Sequence, residues 1–160
     1  MGLFTGMNIS ASGLTAQKLR LDLISNNIAN INTANTGQTT AAGNPIPYQR
    51  EVAVFSSRPS ETDFADVFKD TRTKLRSEGV QVTAVVQDNN EFRLEYDPNN
   101  PDAAKTAEDG IPVGYVRYPN VTLVEEMVDM ISANRSYEAN VTALNASKAM
   151  ASTALGIGKG

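Results

Sequence analysis

The chain has 160 residues, enough for one ordinary domain with its own core. It contains no Cys and no His, which excludes disulfides, thiol chemistry, Cys/His zinc sites and His-based triads, leaving carboxylate, Ser/Thr, Tyr and Lys chemistry. The net charge of −4 lies wholly in the middle: residues 1–40 hold two basic and one acidic side chain, 41–119 nine and thirteen, and 120–160 three and four, so no basic face is offered to nucleic acid.

The first predicted element is a helix starting near Thr5–Ser12 and ending around Asn30–Thr33. Met7, Leu14, Leu21 and Ile28 recur every seven residues, with Ile24 and Ile31 on companion rows. A sustained heptad of this kind favours packing against another helix. Asn costs a helix interior roughly half a kcal/mol or more against Ala, yet Asn26 and Asn27 lie a turn inside the predicted end. Two roles stay open for them, an amide hydrogen bond to a neighbouring helix or a solvated face. Asn30 and Asn32 suit the helix terminus.

Residues 33–47, rich in Thr, Asn, Ala, Gly and Pro, read as a loop. Tyr48 to Ser56 reads as a strand, and 61–76 as either a short helix or a loop. Val80–Val86 and Phe92–Tyr96 flank a polar stretch, 87–91, and predict a β-hairpin. Residues 97–112 are again a loop, and Gly114–Tyr118 a short strand stopped by Pro119. Asp97, Asn99 and Asp102 approach a calcium-loop pattern, but Pro101 stands at a ligand position and Asp102 where glycine is required, so an Asx/Pro turn is the reading.

The second helix is predicted from Thr122, with Glu125 completing a capping box, to about Ala154, with Gly156, Gly158 and Gly160 ending it. Its heptad row is Leu123, Met130, Tyr137, Leu144 and Ala151, with Met127, Val141 and Leu155 beside it and Asn134 and Lys148 interrupting. A polar residue in such a seam specifies register and partner rather than stability. Ser, Ala and Asn side chains between residues 132 and 147 leave room for close approach of other helices. The terminal Gly-Ile-Gly-Lys-Gly lacks the spacing and following helix of a phosphate loop. No apolar run approaches the length of a membrane span, and the start has neither a basic nor a continuous apolar segment, so no cleaved secretory signal is expected.

Two blocks of residues carry a family resemblance. Ala11-Ser12-Gly13-Leu14-Thr15-Ala16-Gln17, then Arg20-Leu21-Asp22, Ile24 to Asn30 and Thr33, resembles the N-terminal signature of bacterial flagellar axial proteins of the rod, hook and hook-associated kinds. Tyr115 to Val121 leading into Leu123–Val128, then Met130-Ile131, Arg135-Ser136-Tyr137 and Ala139-Asn140, with Asp97-Pro98 and Pro101-Asp102-Ala103 before it, is similar to the proximal-rod branch of that family. The tail, Ala151 to Gly160, departs from the pattern.

The resemblance implies an α+β protein: long N- and C-terminal helices paired as an antiparallel coiled coil, with a small β-containing middle domain. The expected division is 1–33, 34–119 and 120–160, the outer two forming an assembly core. It implies a structural subunit rather than an enzyme, with no cofactor or metal, no nucleic acid and no small-molecule substrate. Its implied partners are other proximal and distal rod proteins, membrane-ring and rod-adapter proteins and the flagellar type III export apparatus. Its implied place is the periplasmic part of the basal body, reached without signal cleavage. The expected interface residues are Met7, Leu14, Leu21, Ile24, Asn26, Asn27, Ile28, Ile31, Leu123, Met127, Met130, Asn134, Tyr137, Val141 and Leu144. On the residues alone, a soluble helical-bundle adapter or export-chaperone-like protein would use the same stripes in a closed bundle.

Overall fold

The structure is a computed structural model that describes residues 3–58, 79–108 and 110–157. The helix-or-loop alternative for 61–76 falls outside the described residues. The chain is α+β, with the order α1 (Leu3–Ala29), β1 (Glu51–Ser57), β2 (Val80–Gln87), β3 (Arg93–Tyr96), β4 (Tyr115–Tyr118) and α2 (Leu123–Ile157). Among the described residues no helix is long and apolar enough to cross a membrane.

Both helices form where predicted because their residues are periodic and free of proline. α2 begins one residue after Thr122, and Glu126 N–H donates to the Thr122 carbonyl at 3.1 Å. The reciprocal capping-box bonds do not form among the described residues; the acid that matters is Glu126, turned inward, rather than Glu125. At the far end Gly156 does not stop α2, which runs through it to Ile157. A single glycine costs a helix only about 1 kcal/mol against Ala, too little to end it by itself.

The predicted hairpin of 80–86 with 92–96 is not formed. β2 pairs instead with β1, and β3 with β4. β3 and β4 run antiparallel, with Arg93 opposite Tyr118 and Tyr96 opposite Tyr115. The reason lies in the polar stretch between β2 and β3. Asp88 N–H donates to the Arg50 carbonyl at 2.8 Å, and the Asn120 side-chain amide donates to the carbonyls of Asp88 (2.8 Å) and Asn90 (3.2 Å). These bonds hold 88–90 to other segments and leave no tight turn. Gly114, with φ 86°, turns the chain into β4; a Cβ there would stand 3.2 Å from the Tyr96 ring. The Asx/Pro reading of 97–102 holds: Asp97 Oδ1 accepts from Asn99 N–H (3.2 Å) and Asn100 Oδ1 from Asp102 N–H (3.0 Å).

The described chain divides into two compact units. One gathers the described residues of Met1–Leu21, Ala53–Val85 and Ile131–Gly160. Its buried apolar residues among the described ones are Ala16, Ala53 and Ala133. Here α1 and α2 come close: a Cβ on Gly13 would stand 3.0 Å from Asn140 Oδ1, and one on Gly6 would meet Ser147 Oγ at 3.9 Å. Seven residues forward along α1 thus correspond to seven back along α2.

The other unit gathers Asp22–Val52 and Val86–Met130. It buries Leu23, Ile24, Ala103, Ala104, Val116 and Val121. The loop after α1 is clasped to the 102–108 segment by buried Asn44. Asn44 Oδ1 accepts from Lys105 N–H (3.0 Å), and its amide donates to the Thr106 carbonyl (3.0 Å) and Glu108 Oε2 (3.1 Å). The Thr40 hydroxyl also donates to Glu108, and this bond with that from Asn44 holds the Glu108 carboxyl below its usual range.

Candidate assembly site

The most enclosed polar cluster in the second unit is built on Asn27 and Glu126, 1% and 0% exposed. Leu23, Ile24 and Asn27 form the buried face of the last turns of α1, which aims the Asn27 amide at α2 and β1. Asn27 Nδ2 donates to the Glu51 carbonyl (3.0 Å) and to Glu126 Oε2 (3.3 Å). Its Oδ1 accepts from the Tyr48 hydroxyl (2.9 Å) and Glu51 N–H (3.0 Å). All four hydrogen-bonding places of the amide are thereby filled. Asn26, by contrast, faces solvent, and its backbone carbonyl accepts from the Asn30 side-chain amide (3.0 Å) and N–H (3.1 Å). The two open roles are split between the neighbours.

Glu126 is neutralised by Arg50, whose Nε lies 2.6 Å from Glu126 Oε1. The same guanidinium reaches Asp88 (3.5 Å) and Asp129 (3.3 Å). Burial alone would lower the Arg50 pKa, but its bond to Glu126, then that charge and Asp88, raise it above its already high value. Burial, then the charges of Glu51 and Glu126, push Tyr48 up to about 12, so its hydroxyl stays a donor to Asn27. Arg50 N–H donates to Asn120 Oδ1 at 2.9 Å, tying the start of β1 to the entry of α2. The carboxylates and the Tyr48 hydroxyl of the cluster are engaged by partners within it. Its chemistry is positional: it fixes which residue of α1 stands beside which residue of α2.

Asn27 and Glu126 stand two heptads along from Gly13 and Asn140 on each helix. The α1 contact row, Gly6, Gly13 and Asn27, is thus one position before the predicted Met7–Ile28 row. On α2 the row is Glu126, Asn140 and Ser147, with fully buried Ala133 between, three positions from the predicted Leu123–Leu144 row. The legible signal was a pair of glycines seven residues apart inside a helix.

The predicted interface residues therefore divide. Ile24 and Asn27 are buried within the chain. Met7, Leu14, Leu21, Ile28, Ile31, Met130, Val141 and Leu144 are half-buried beside the contact rows. Asn26, Leu123, Met127, Asn134 and Tyr137 are exposed. Sequence reasoning missed Val124 and Val128, which with Leu123 and Met127 make an apolar row on the first two turns of α2; Val124 is 69% and Val128 62% exposed. That row borders a groove of about 760 Å³ within the same unit, lined in part by Ile31, Glu91, Phe92, Leu123, Val124 and Glu125.

Comparison with known proteins agrees with the reading of both ends. Residues 7–35 match the family of flagella basal body rod proteins, and residues 113–157 match the C-terminal family of flagellar basal body rod FlgEFG proteins. The chain is similar to the flagellar basal-body rod protein FlgC of Borreliella burgdorferi, 45% identical with both chains covered in full. It is 42% identical to FlgC of Bacillus subtilis, over 99% of this chain and 100% of that one, and 33% identical to FlgC of Salmonella typhimurium with the same coverage. The chain belongs to the FlgC family of flagellar basal-body rod proteins.

Proposed function

We propose that this chain is a structural subunit of the proximal part of the flagellar rod and not an enzyme. In this reading α1 and α2 pair as an antiparallel coiled coil, 1–33 and 120–160 form the assembly core, and 34–119 is the middle domain. Copies and relatives stack helically through these helices into a shaft that transmits torque between the membrane ring and the distal rod. The Asn27–Glu126–Arg50 cluster, with Ile24, sets the helix register inside each subunit. The exposed and half-buried members of the predicted set, with Val124 and Val128, make contacts between subunits. Other basal-body proteins are its partners, and the type III apparatus exports it without signal cleavage to the periplasmic rod.

The observation that supports this most is the exposed apolar row on α2. A folded single chain gains nothing from leaving Leu123, Val124, Met127 and Val128 in water, whereas a polymer buries them. Polar groups at the helix contact make the pairing specific rather than strong, which suits a part whose partners must be chosen correctly.

Deleting the chain and imaging basal bodies by electron microscopy tests the reading. The expected result is a membrane ring without a rod. A complete rod in the deletion strain rejects the proposal and returns the stripes to a soluble helical adapter.

A further inference from the structure

We infer that the open edge of β3 pairs with the same edge of a second copy of this chain, antiparallel and centred on Leu94, closing a two-fold dimer of the free subunit. Among the described residues β4 is the one strand paired with β3, and all of Arg93–Tyr96 are exposed, Tyr96 to 64%. The outer side of β3 is therefore a strand edge on which another strand can be added.

The ladder to β4 fixes which backbone groups face outward. Asp97 N–H donates to the Gly114 carbonyl at 3.1 Å, in the same register that sets Arg93 opposite Tyr118 and Tyr96 opposite Tyr115. Hydrogen-bonded and non-hydrogen-bonded pairs alternate along an antiparallel ladder. Arg93 and Glu95 thus turn their N–H and C=O to β4, and Leu94 and Tyr96 turn theirs to the open edge. The side chains alternate between faces, Arg93 and Glu95 on one and Leu94 and Tyr96 on the other.

The order of these residues selects the register. Residues directly opposite across a ladder share a face, so a strand that pairs with its own copy about a two-fold axis must be centred on a residue. Centred on Arg93 or Glu95, like charges face each other; centred on Tyr96, Glu95 meets Asp97. Centred on Phe92, the copy's Leu94 and Glu95 would run against Asn90 and Asn89. There the chain is bent by an Asx turn, Asn90 N–H to Asp88 Oδ1 at 3.1 Å, and held by Asn120. Centred on Leu94, Arg93 stands opposite the copy's Glu95 twice, Phe92 opposite its Tyr96 twice, and Leu94 opposite its counterpart, with outward N–H and C=O groups exchanging bonds. Charged residues on a strand edge ordinarily keep copies apart. Here a cation and an acid two positions apart make the edge complementary to itself.

A contact between identical patches closes and leaves nothing to extend. The pair is thus a state of the free chain that must part before subunits stack helically, and the inference does not depend on the rod reading. A contact between strands this short lies at the small, transient end of the size range, so it forms at high concentration.

Sedimentation equilibrium of the purified chain over a concentration series is the test, with Arg93→Glu, Glu95→Arg and their equal mixture beside the unchanged chain. The unchanged chain is expected to dimerise at the top of the series. Each reversal is expected to weaken self-association about tenfold, and the mixture to restore it as a heterodimer, one chain then carrying two acids at these positions and the other two cations. An unchanged chain that stays monomeric overturns the inference and leaves the edge to a strand of another protein. Reversals that associate as strongly as the unchanged chain overturn it too, and place association on the exposed helix stripes. Arg93 also lies over the Tyr118 ring, 4.8 Å from its centre, so a readout without mutation is added in case a reversal disturbs folding. In the unchanged chain, hydrogen-exchange protection of Leu94 and Tyr96 N–H should rise with concentration while that of Arg93 and Glu95 stays constant. Exchange at Leu94 that is independent of concentration overturns the inference. Rods in a strain lacking the chain would reject the rod reading and leave these readouts unchanged.

Discussion

Asn27 and Glu126 hold two helices together through one 3.3 Å hydrogen bond, although their positions lie 99 residues apart in the chain and both side chains are closed off from solvent. The bond is stable there because neither group is left short of partners. Asn27→Ala would strand the Glu51 carbonyl and N–H, the Tyr48 hydroxyl and one oxygen of Glu126 together. Each unsatisfied buried group costs about 1–3 kcal/mol. With some of them rescued by water, we expect a loss of about 3 kcal/mol in urea denaturation of the purified chain. Asn27→Asp should be at least as damaging, because it sets a second carboxylate against Glu126.

Arg50 is the counter-charge for Glu126, so its two truncations should differ. Arg50→Met leaves a fully buried carboxylate without its cation, a change that costs about 3–5 kcal/mol in buried pairs. Glu126→Gln removes the charge but retains an amide oxygen for Asn27, while Arg50 keeps Asp88 and Asp129. The expected loss is about 1–2 kcal/mol. The double variant should be more stable than Arg50→Met alone. A double variant less stable than Arg50→Met would show that the Arg50–Glu126 pair is not the stabilising contact described.

At Gly13 the expected result runs against helix propensity. Ala is favoured over Gly in a helix interior by about 1 kcal/mol. Here the added methyl would stand 3.0–3.1 Å from the Asn140 side chain, whose amide is held by the Ser136 carbonyl at 2.9 Å. Gly13→Ala should therefore be neutral or destabilising. In an Asn140→Ala background the same change should become stabilising. That sign reversal, read from thermal unfolding of the four chains of the cycle, is the measurement.

Much of this was legible in the sequence, and the missing parts are missing for a common reason. The helices were readable because periodicity and the absence of proline are local properties. The strands of 51–57 and 115–118 were readable for the same reason. Strand pairing was not, since β2 and β3 look like a hairpin until Asn120, far along the chain, takes the carbonyls of Asp88 and Asn90. Glu126 looked like an ordinary acid in a first helical turn, and Arg50 like a charge on a half-exposed strand. Their burial depends on β1 meeting both helices, which no window of sequence contains. The residues of the two ends carry the family resemblance independently of these contacts.

The cluster also predicts an alkaline weakness. Tyr48 has an ordinary pKa of 10.0 and is pushed up to about 12 in the folded chain, first by burial and then by Glu51 and Glu126. Because the folded value is the higher one, the contribution to stability is complete below pH 10 and is lost as pH rises from about 10 to 12. Tyr48→Phe should flatten the alkaline limb of the stability curve. At neutral pH it should cost about 1 kcal/mol, since Asn27 Oδ1 still accepts from Glu51 N–H. An unchanged alkaline limb in Tyr48→Phe would show that another group titrates there.

The uneven cores predict uneven local stability in the free chain. Ordering a residue costs about 1–2 kcal/mol of backbone entropy. Burying a methyl group returns about 0.8 kcal/mol, and the described residues of the unit containing 3–21 and 131–157 bury Ala16, Ala53 and Ala133. The stretch 22–29 instead anchors on Leu23, Ile24 and the fully bonded Asn27. In a dilute monomer, hydrogen exchange should be fast across Leu3–Leu21 and Val141–Ile157 and slower across 22–29 and the first turns of α2. In assembled rods the fast segments should gain protection, because neighbouring subunits would bury apolar side chains such as Ile131, Met150 and Leu155, which are exposed in the single chain. Uniform protection of both helices in the dilute chain would mean that the helices are ordered by their own contacts and that assembly does not fold them.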